Sequence, residues 1–279
     1  MDLDHLSHTR VATYLSCGEK YRLKYVEEFP RSPQGAFIGG VAVHETIEEA
    51  SNTGLWANPE AFQEPSGDIV VFFREHLLAA VQEAGGAEAV RWGGRKTKTF
   101  PQGEDLQWWF TFGPGMLNRY HTLKLQDVED GWEVFGSEIE ATFNLGSGMR
   151  VVARMDEVLS HADGTIKVRD YKTGQPRPEE VIQLGLYAHA CKVTLGFTVT
   201  FGELAYLKKT SNYLSTFAAQ PWIDSVMTWL DRAEGGLSKE VYLLRPSSFC
   251  SSCDVKAGCQ YGRQLIEGDE VAQQGGNDG

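Results

Sequence analysis

The sequence predicts an α/β fold, a central mixed β-sheet flanked by helices, and three observations carry that prediction. Strand-like and helix-like runs alternate along 279 residues, the pattern of a sheet covered by helices on both faces. The apolar run Val151-Val152-Ala153, which leads to Asp156, is separated from the run carrying Asp170 by Asp163-Gly164, a hairpin turn signal. Three closely spaced cysteines, Cys250, Cys253 and Cys259, close the chain in a small module of their own.

The elements follow in order. Residues 1–30 form a helix or two ending near Pro30, and residues 31–56 hold a helix with His44. Residues 57–130 read as a mainly helical insertion that could cover or feed a site. Residues 132–145 begin the strands, 149–172 continue them, 178–193 form a helix, 198–207 a strand and 221–235 a helix. The cysteine module occupies 245–262, and the acidic, glycine-rich stretch 266–279 is expected to be a disordered tail. Residues 1–265 are read as one domain. Hydrophobic residues at 42% and charged residues at 23% are enough for a real core. No apolar stretch approaches the ~20 residues needed to cross a bilayer. The acidic start, Met1 to His5, lacks a secretory signal, so a cytoplasmic setting is expected.

The chemistry gathers in Arg154-Met155-Asp156-Glu157 and Arg169-Asp170-Tyr171-Lys172-Thr173-Gly174. On a strand, Asp170 and Lys172 emerge on the same face. Pairing across the hairpin would bring Asp156 beside Asp170. Two carboxylates ~4 Å apart repel by about 4 kcal/mol at an effective dielectric of ~20. A divalent cation between them reverses that sign, and hard oxygen ligands suit magnesium or manganese. The lysine can then act as a point charge that orients or activates water. The same three residues are equally compatible with a solvated surface hairpin. The next helix carries Gln183 and Tyr187 four apart on one face.

These elements resemble the PD-(D/E)XK nuclease superfamily, and most closely the RecB-type nuclease domain with its relatives in CRISPR adaptation and phage recombination. That group carries an Asp at the end of one strand, an Asp-Tyr-Lys-Thr-Gly-like strand and a Gln-x-x-x-Tyr helix. Leu6 to Tyr25, with Cys17, resembles its opening helix, although Gly18 stands where relatives often have proline. Gly40 to His44 resembles its Gly-x-x-x-His helix. The resemblance implies that His44, Asp156 and Asp170 hold one or two Mg2+ or Mn2+ ions with the Tyr171 carbonyl. It also implies that Lys172 positions or activates the attacking water, and that Gln183 and Tyr187 bond the nucleic acid or brace the lysine. Glu140 resembles an acidic position of the family, and a solvated strand face accounts for it equally well.

The Cys-x2-Cys-x5-Cys spacing is ligand spacing, because a short loop can aim several sulfurs at one centre. Disulfides do not suit an odd cysteine count in a chain without a secretory signal. The resemblance supplies Cys17 as the fourth ligand and a [4Fe–4S] cluster as the group held by Cys17, Cys250, Cys253 and Cys259. Zinc suits four thiolates equally well by spacing. Cys191 falls outside the pattern and reads as a small core residue.

A net charge of −12 is awkward for a nucleic-acid enzyme, since affinity comes largely from cations on phosphates. The counterweight is Arg91-Trp92-Gly93-Gly94-Arg95-Lys96-Thr97-Lys98. Here Arg91, Arg95, Lys96 and Lys98 could track a backbone while Trp92 stacks on a base. A solvated loop is the simpler account of that stretch. Lys208-Lys209 is a second, weaker candidate.

The reading is a metal-dependent DNA exonuclease acting on single strands or duplex ends in phage or bacterial recombination or repair. A recombination or helicase partner is possible. The competing readings are a DNA-binding subunit with an idle nuclease site and a zinc-binding adaptor without a nucleic-acid role.

Overall fold

Five strands form a mixed sheet in the order β1-β2-β3-β4-β5. They are β1 (Trp132–Asn144), β2 (Arg150–His161), β3 (Ile166–Lys172), β4 (Phe201–Tyr206) and β5 (Leu214–Ala218). The computed structural model describes residues 5–177, 179–211 and 213–266. The tail expected over 266–279 therefore lies, past its first residue, outside the described residues. Among the described residues no helix is long and apolar enough to cross a membrane.

The chain read as one domain packs as two compact units, residues 33–228 and residues 1–32 with 229–279. In the larger unit β1, β2 and β3 form an antiparallel meander. Gly164, at φ +88°, makes the tight turn between β2 and β3, and the Asp163 side chain caps it by accepting from the Thr165 N–H at 2.8 Å. β4 runs parallel to β3, which demands a crossover; helix α6 (Glu180–Ala190) lies between them in sequence and packs on β2, β3 and β4. β3 is buried at nearly every position, as a central strand covered on both sides must be. β5 pairs antiparallel with β4 at the sheet edge. It was not anticipated, because five residues alternating between half-buried and exposed carry little hydrophobic signal.

Helices α3 (Gly35–Thr53), α4 (Asp68–Glu83) and α5 (Leu106–Glu129) build the main core with Tyr171 and Ala205 of the sheet and Leu207 just past β4. The stretch 57–130, expected as an insertion over the site, is thus a structural half of the core. Phe73, Leu77, Trp109, Met116, Leu117 and Tyr120 are all buried there. Full burial of one such side chain is worth about 1.5–3 kcal/mol.

The smaller unit holds α1 (His8–Ser16), α2 (Gly18–Tyr21) with a π-helical turn at Arg22–Val26, and the cysteine-bearing end of the chain. The Gly18 N–H donates to the Leu243 carbonyl at 2.9 Å, and a Cβ at Gly18 would lie 2.5 Å from the Leu243 nitrogen. Tyr21 stacks on Tyr242, and Lys20 pairs with Asp254 at 2.9 Å. These contacts join chain segments more than 220 residues apart.

Candidate metal centre

The β2/β3 ladder pairs Glu157 with Arg169 and Val158 with Val168. Continued by one residue, that register sets Asp156 opposite Asp170. The Asp156 carboxylate reaches across the gap, and its Oδ2 accepts from the Tyr171 N–H at 2.7 Å. Burial, then the neighbouring Asp170 carboxylate, pushes the Asp156 pKa well above the ordinary carboxylate range. The apposition read from the hairpin is present, and its electrostatic cost falls on Asp156.

Asp170 is held from three sides. Its Oδ1 accepts from Gln183 Nε2 at 2.7 Å and from the Tyr187 hydroxyl at 3.0 Å. Its Oδ2 lies 2.6 Å from Lys172 Nζ, and that ammonium donates to Gln183 Oε1 at 2.7 Å. Gln183 also bonds the Tyr187 hydroxyl. The helical spacing of Gln183 and Tyr187 on α6 aims both at one carboxylate. Burial works against the Lys172 ammonium, and the Asp170 charge more than offsets it, so the lysine pKa is raised. Lys172 is therefore a fixed cation rather than a proton acceptor. Tyr187, pushed well up by burial and by Asp170, remains a hydroxyl donor.

His44 comes from α3, and two glycines place it. A Cβ on Gly39 would lie 2.2 Å from the Trp109 indole, and one on Gly40 would lie 2.9 Å from Thr173 Oγ1. Only bare backbone lets α3 sit this close to α5 and to the end of β3. One turn later, His44 Nδ1 lies 3.6 Å from Asp156 Oδ2. Burial lowers its pKa against the pull of Asp170 and Glu138, so the imidazole favours the neutral form that a metal requires.

The third member of this group is Glu138. One ligand atom from each of His44, Glu138 and Asp156 falls within 4.8 Å of the others. The group contains His44 and Asp156 of the expected set and adds Glu138; Asp170 lies beside it, with Oδ1 bonded by Gln183 and Tyr187 and Oδ2 2.6 Å from the Lys172 ammonium. On this strand the resemblance pointed to Glu140 and not to Glu138. In the fold Glu138 has φ +50° and stands across from Asp156. Glu140 instead pairs across the ladder with Arg154 and faces solvent. Burial and Asp156 raise the Glu138 pKa to about 7, against the neighbouring His44.

On the opposite face of β3 lies a second set of charges. Arg169 bonds Asp127 at 2.5 and 2.8 Å and Glu203 at 2.8 Å, Lys167 bonds Asp127 at 2.9 Å, and Lys124 bonds Glu157 at 2.5 Å. The Tyr171 hydroxyl donates to Glu157 at 2.8 Å. All seven side chains are buried. Three cations meet three carboxylates.

The basic loop is placed differently from its expected role. The Trp92 indole lies against Gly35, where a Cβ would come within 2.3 Å of it, and its N–H donates to the Ala87 carbonyl at 3.0 Å. The ring packs against the core at the start of α3, so it anchors the loop rather than offering a free face to a base. Arg95, Lys96 and Lys98 are exposed on the loop beyond it. The loop is closed at its neck by a bond from the Glu104 N–H to the Gly93 carbonyl at 2.6 Å. Lys208 is occupied by Glu104 and lies over the Trp108 ring.

In the smaller unit, Cys17, Cys250, Cys253 and Cys259 line one small cavity with Lys20 and Lys256. All four are free thiols. Cys191, in the larger unit, is buried against the sheet, and burial pushes its thiol to about 12, the behaviour of an inert core residue.

A family model described as the PD-(D/E)XK nuclease superfamily matches residues 5–260. The chain belongs to that superfamily. The Gene 69 protein of Mycobacterium phage D29 is 25% identical over 278 residues, spanning 91% of this chain and 95% of that protein. A solved structure titled "Crystal structure of SSO0001" covers 94% of this chain and 88% of its own at 11% identity, with a TM-score of 0.43. Membership of the PD-(D/E)XK superfamily implies metal-dependent phosphodiester hydrolysis, with DNA as substrate. The donor set fits that chemistry: an imidazole held neutral by burial and carboxylates in excess over cations are what a divalent ion needs.

Proposed function

We propose that this chain is a Mg2+- or Mn2+-dependent DNA exonuclease acting on single strands or duplex ends in phage or bacterial recombination or repair. The observation that carries the reading is the uncompensated charge on one face of β3. There Glu138, Asp156 and Asp170 share the face with one half-buried ammonium, Lys172, and with Arg154, a largely exposed side chain 3.8 Å from Glu138. A divalent cation bound at this face would stabilise charge on the scissile phosphate and lower the pKa of water. His44 and Asp156 would hold it, with Asp170 and the Tyr171 carbonyl at the adjoining strand end. Lys172, kept protonated by Asp170 and oriented by Gln183, fixes a positive charge where the attacking water and phosphate must meet. Gln183 and Tyr187 position Lys172 and Asp170. Arg95, Lys96 and Lys98, with Arg91 at the loop's base, would guide the phosphate backbone. The phage relative supports the phage setting by its source alone.

The same reading includes a [4Fe–4S] cluster held by Cys17, Cys250, Cys253 and Cys259. Cys17 and the three closely spaced cysteines, all unpaired, line one cavity, with Lys256 beside them and Lys20 held by Asp254. The cluster would clasp the two ends of the chain, which constrains the unfolded state most when the closed loop is long. An anaerobic preparation is expected to be brown. A colourless protein with full zinc occupancy would replace iron with zinc.

The deciding experiment is a time course on end-labelled single-stranded and duplex DNA with Mg2+, Mn2+ or EDTA. Wild type is expected to degrade DNA from an end only with metal, and Lys172→Ala to be slower by about 10²–10³-fold. Equal rates for the two proteins would reject the site. DNA binding without cleavage under any metal would favour the idle DNA-binding subunit.

A further inference from the structure

We infer that Glu138 is a ligand of the catalytic cation, sharing it with His44 and Asp156. This rests on the nuclease reading above and changes its ligand set.

The backbone of β1 is built to deliver this carboxylate. Val134 faces Leu159, but Gly136 faces Val158, so one extra residue enters β1 while β2 advances normally. Beyond the irregularity Ser137 faces Glu157 and Ile139 faces Met155, which sets Glu138 across from Asp156. Without the extra residue Ser137 would stand there. Glu138 then adopts φ +50°, a left-handed conformation unfavourable for a residue with a long side chain. Like charges directly opposed on neighbouring strands are destabilising. Two distinct departures from ideal strand geometry therefore converge on a position where the side chain is electrostatically unwelcome in the absence of a cation.

The groups facing Glu138 give it little relief. From α3 come His44, which burial keeps largely neutral, and Glu48, a second negative charge. From β2 come Asp156 and Arg154, whose Nε is 3.8 Å away on a side chain 68% exposed. Asp170, the residue the motif nominates, has Oδ1 bonded by Gln183 and Tyr187, while its buried Oδ2 lies 2.6 Å from the Lys172 ammonium and accepts no hydrogen bond. The ligand atoms that gather within 4.8 Å of one another are those of His44, Asp156 and Glu138, on the β1 side of Asp156. One imidazole nitrogen among the donors favours manganese over magnesium more than an all-oxygen set would.

The test is Mn2+ binding to the full-length protein without DNA. It is followed by loss of the free-ion paramagnetic resonance signal and by thermal unfolding with and without Mn2+. Glu138→Gln is expected to weaken Mn2+ binding at least tenfold, to raise the metal-free melting temperature, and to abolish the rise that Mn2+ produces in wild type. Glu140→Gln, one exposed position along the same strand, is expected to behave as wild type in all three. Glu138→Asn, which the left-handed backbone tolerates, gives the same readout should the glutamine variant fail to fold. Wild-type Mn2+ affinity in both Glu138 variants, with binding lost in Asp156→Asn, would overturn the assignment and leave the nuclease reading standing. Absence of Mn2+ binding in wild type would remove both.

Discussion

The two faces of strand β3 carry charge in opposite ways. One face presents Lys167 and Arg169, and with Lys124 they meet Asp127, Glu157 and Glu203 in a buried network of equal numbers. The other presents Asp170 and Lys172, with Asp156 and Glu138 nearby, and there carboxylates outnumber ammonium groups three to one. Burying an ion is tolerable only when it is paired and hydrogen-bonded, so the balanced face can be dry and permanent. The unbalanced face is partly open, and its carboxylates exceed its cations even with the exposed Arg154 counted, an excess that a divalent cation would offset. The difference separates structural from functional charge along a strand of seven residues.

Removing one charge from each face separates the two roles most directly. Arg169→Met leaves three buried carboxylates short of a partner. It is expected to cost about 3–5 kcal/mol in urea unfolding. Asp156→Asn removes a charge that the metal-free protein holds at a cost, so its unfolding midpoint should be unchanged or higher while Mn2+-dependent cleavage is lost. A large stability loss from Asp156→Asn, or none from Arg169→Met, would mean that the faces have been assigned the wrong way round.

A smaller effect sharpens the same contrast through α3, which supplies His44 to the open face while packing on α5. Gly39→Ala places a methyl group into the Trp109 ring. It should cost about 1–3 kcal/mol and displace His44, lowering Mn2+ affinity without disturbing the charge network. Unchanged stability and unchanged affinity would show that α3 approaches less closely than its glycines indicate.

The smallest effect is in pH. The Glu138 pKa, raised to about 7, means that this carboxylate binds a proton over the range where an exposed one would not. Mn2+ must displace that proton, so affinity should rise as pH increases through about 7 and level off above it. In the metal-free protein the sign is opposite. A group whose folded pKa is raised makes stability fall as pH climbs from the ordinary carboxylate value toward about 7. Titrations and melts at pH 6, 7 and 8, compared with Glu138→Gln, check both directions.

Much of the open face was legible because its residues lie close in sequence. Asp170 and Lys172 follow strand parity, Asp156 follows from the hairpin at Asp163-Gly164, and Gln183 and Tyr187 follow helical spacing. His44 was reachable only through the resemblance, since nothing in α3 by itself separates a ligand from a core histidine. Glu138 was missed for a physical reason. A bulge changes which residue faces Asp156, and no glycine marks the left-handed position that completes the change. The balanced face was hidden more deeply. Lys167 and Arg169 alternate as solvated strand charges do, and Asp127, one of the partners that bury them, lies 40 residues or more away on α5. Trp92 in a basic, glycine-rich loop looked like a stacking platform, but Gly35 beside it turns the ring into an anchor.

A divalent ion is expected to settle on the carboxylate-rich side of β3. An anomalous difference map from crystals grown with Mn2+ tests it most directly. A peak within coordination distance of the His44 imidazole and the Asp156 carboxylate is predicted, with Glu138 turned toward it. A map with no peak there, or with Mn2+ bound only at surface acids away from Lys172, would contradict it.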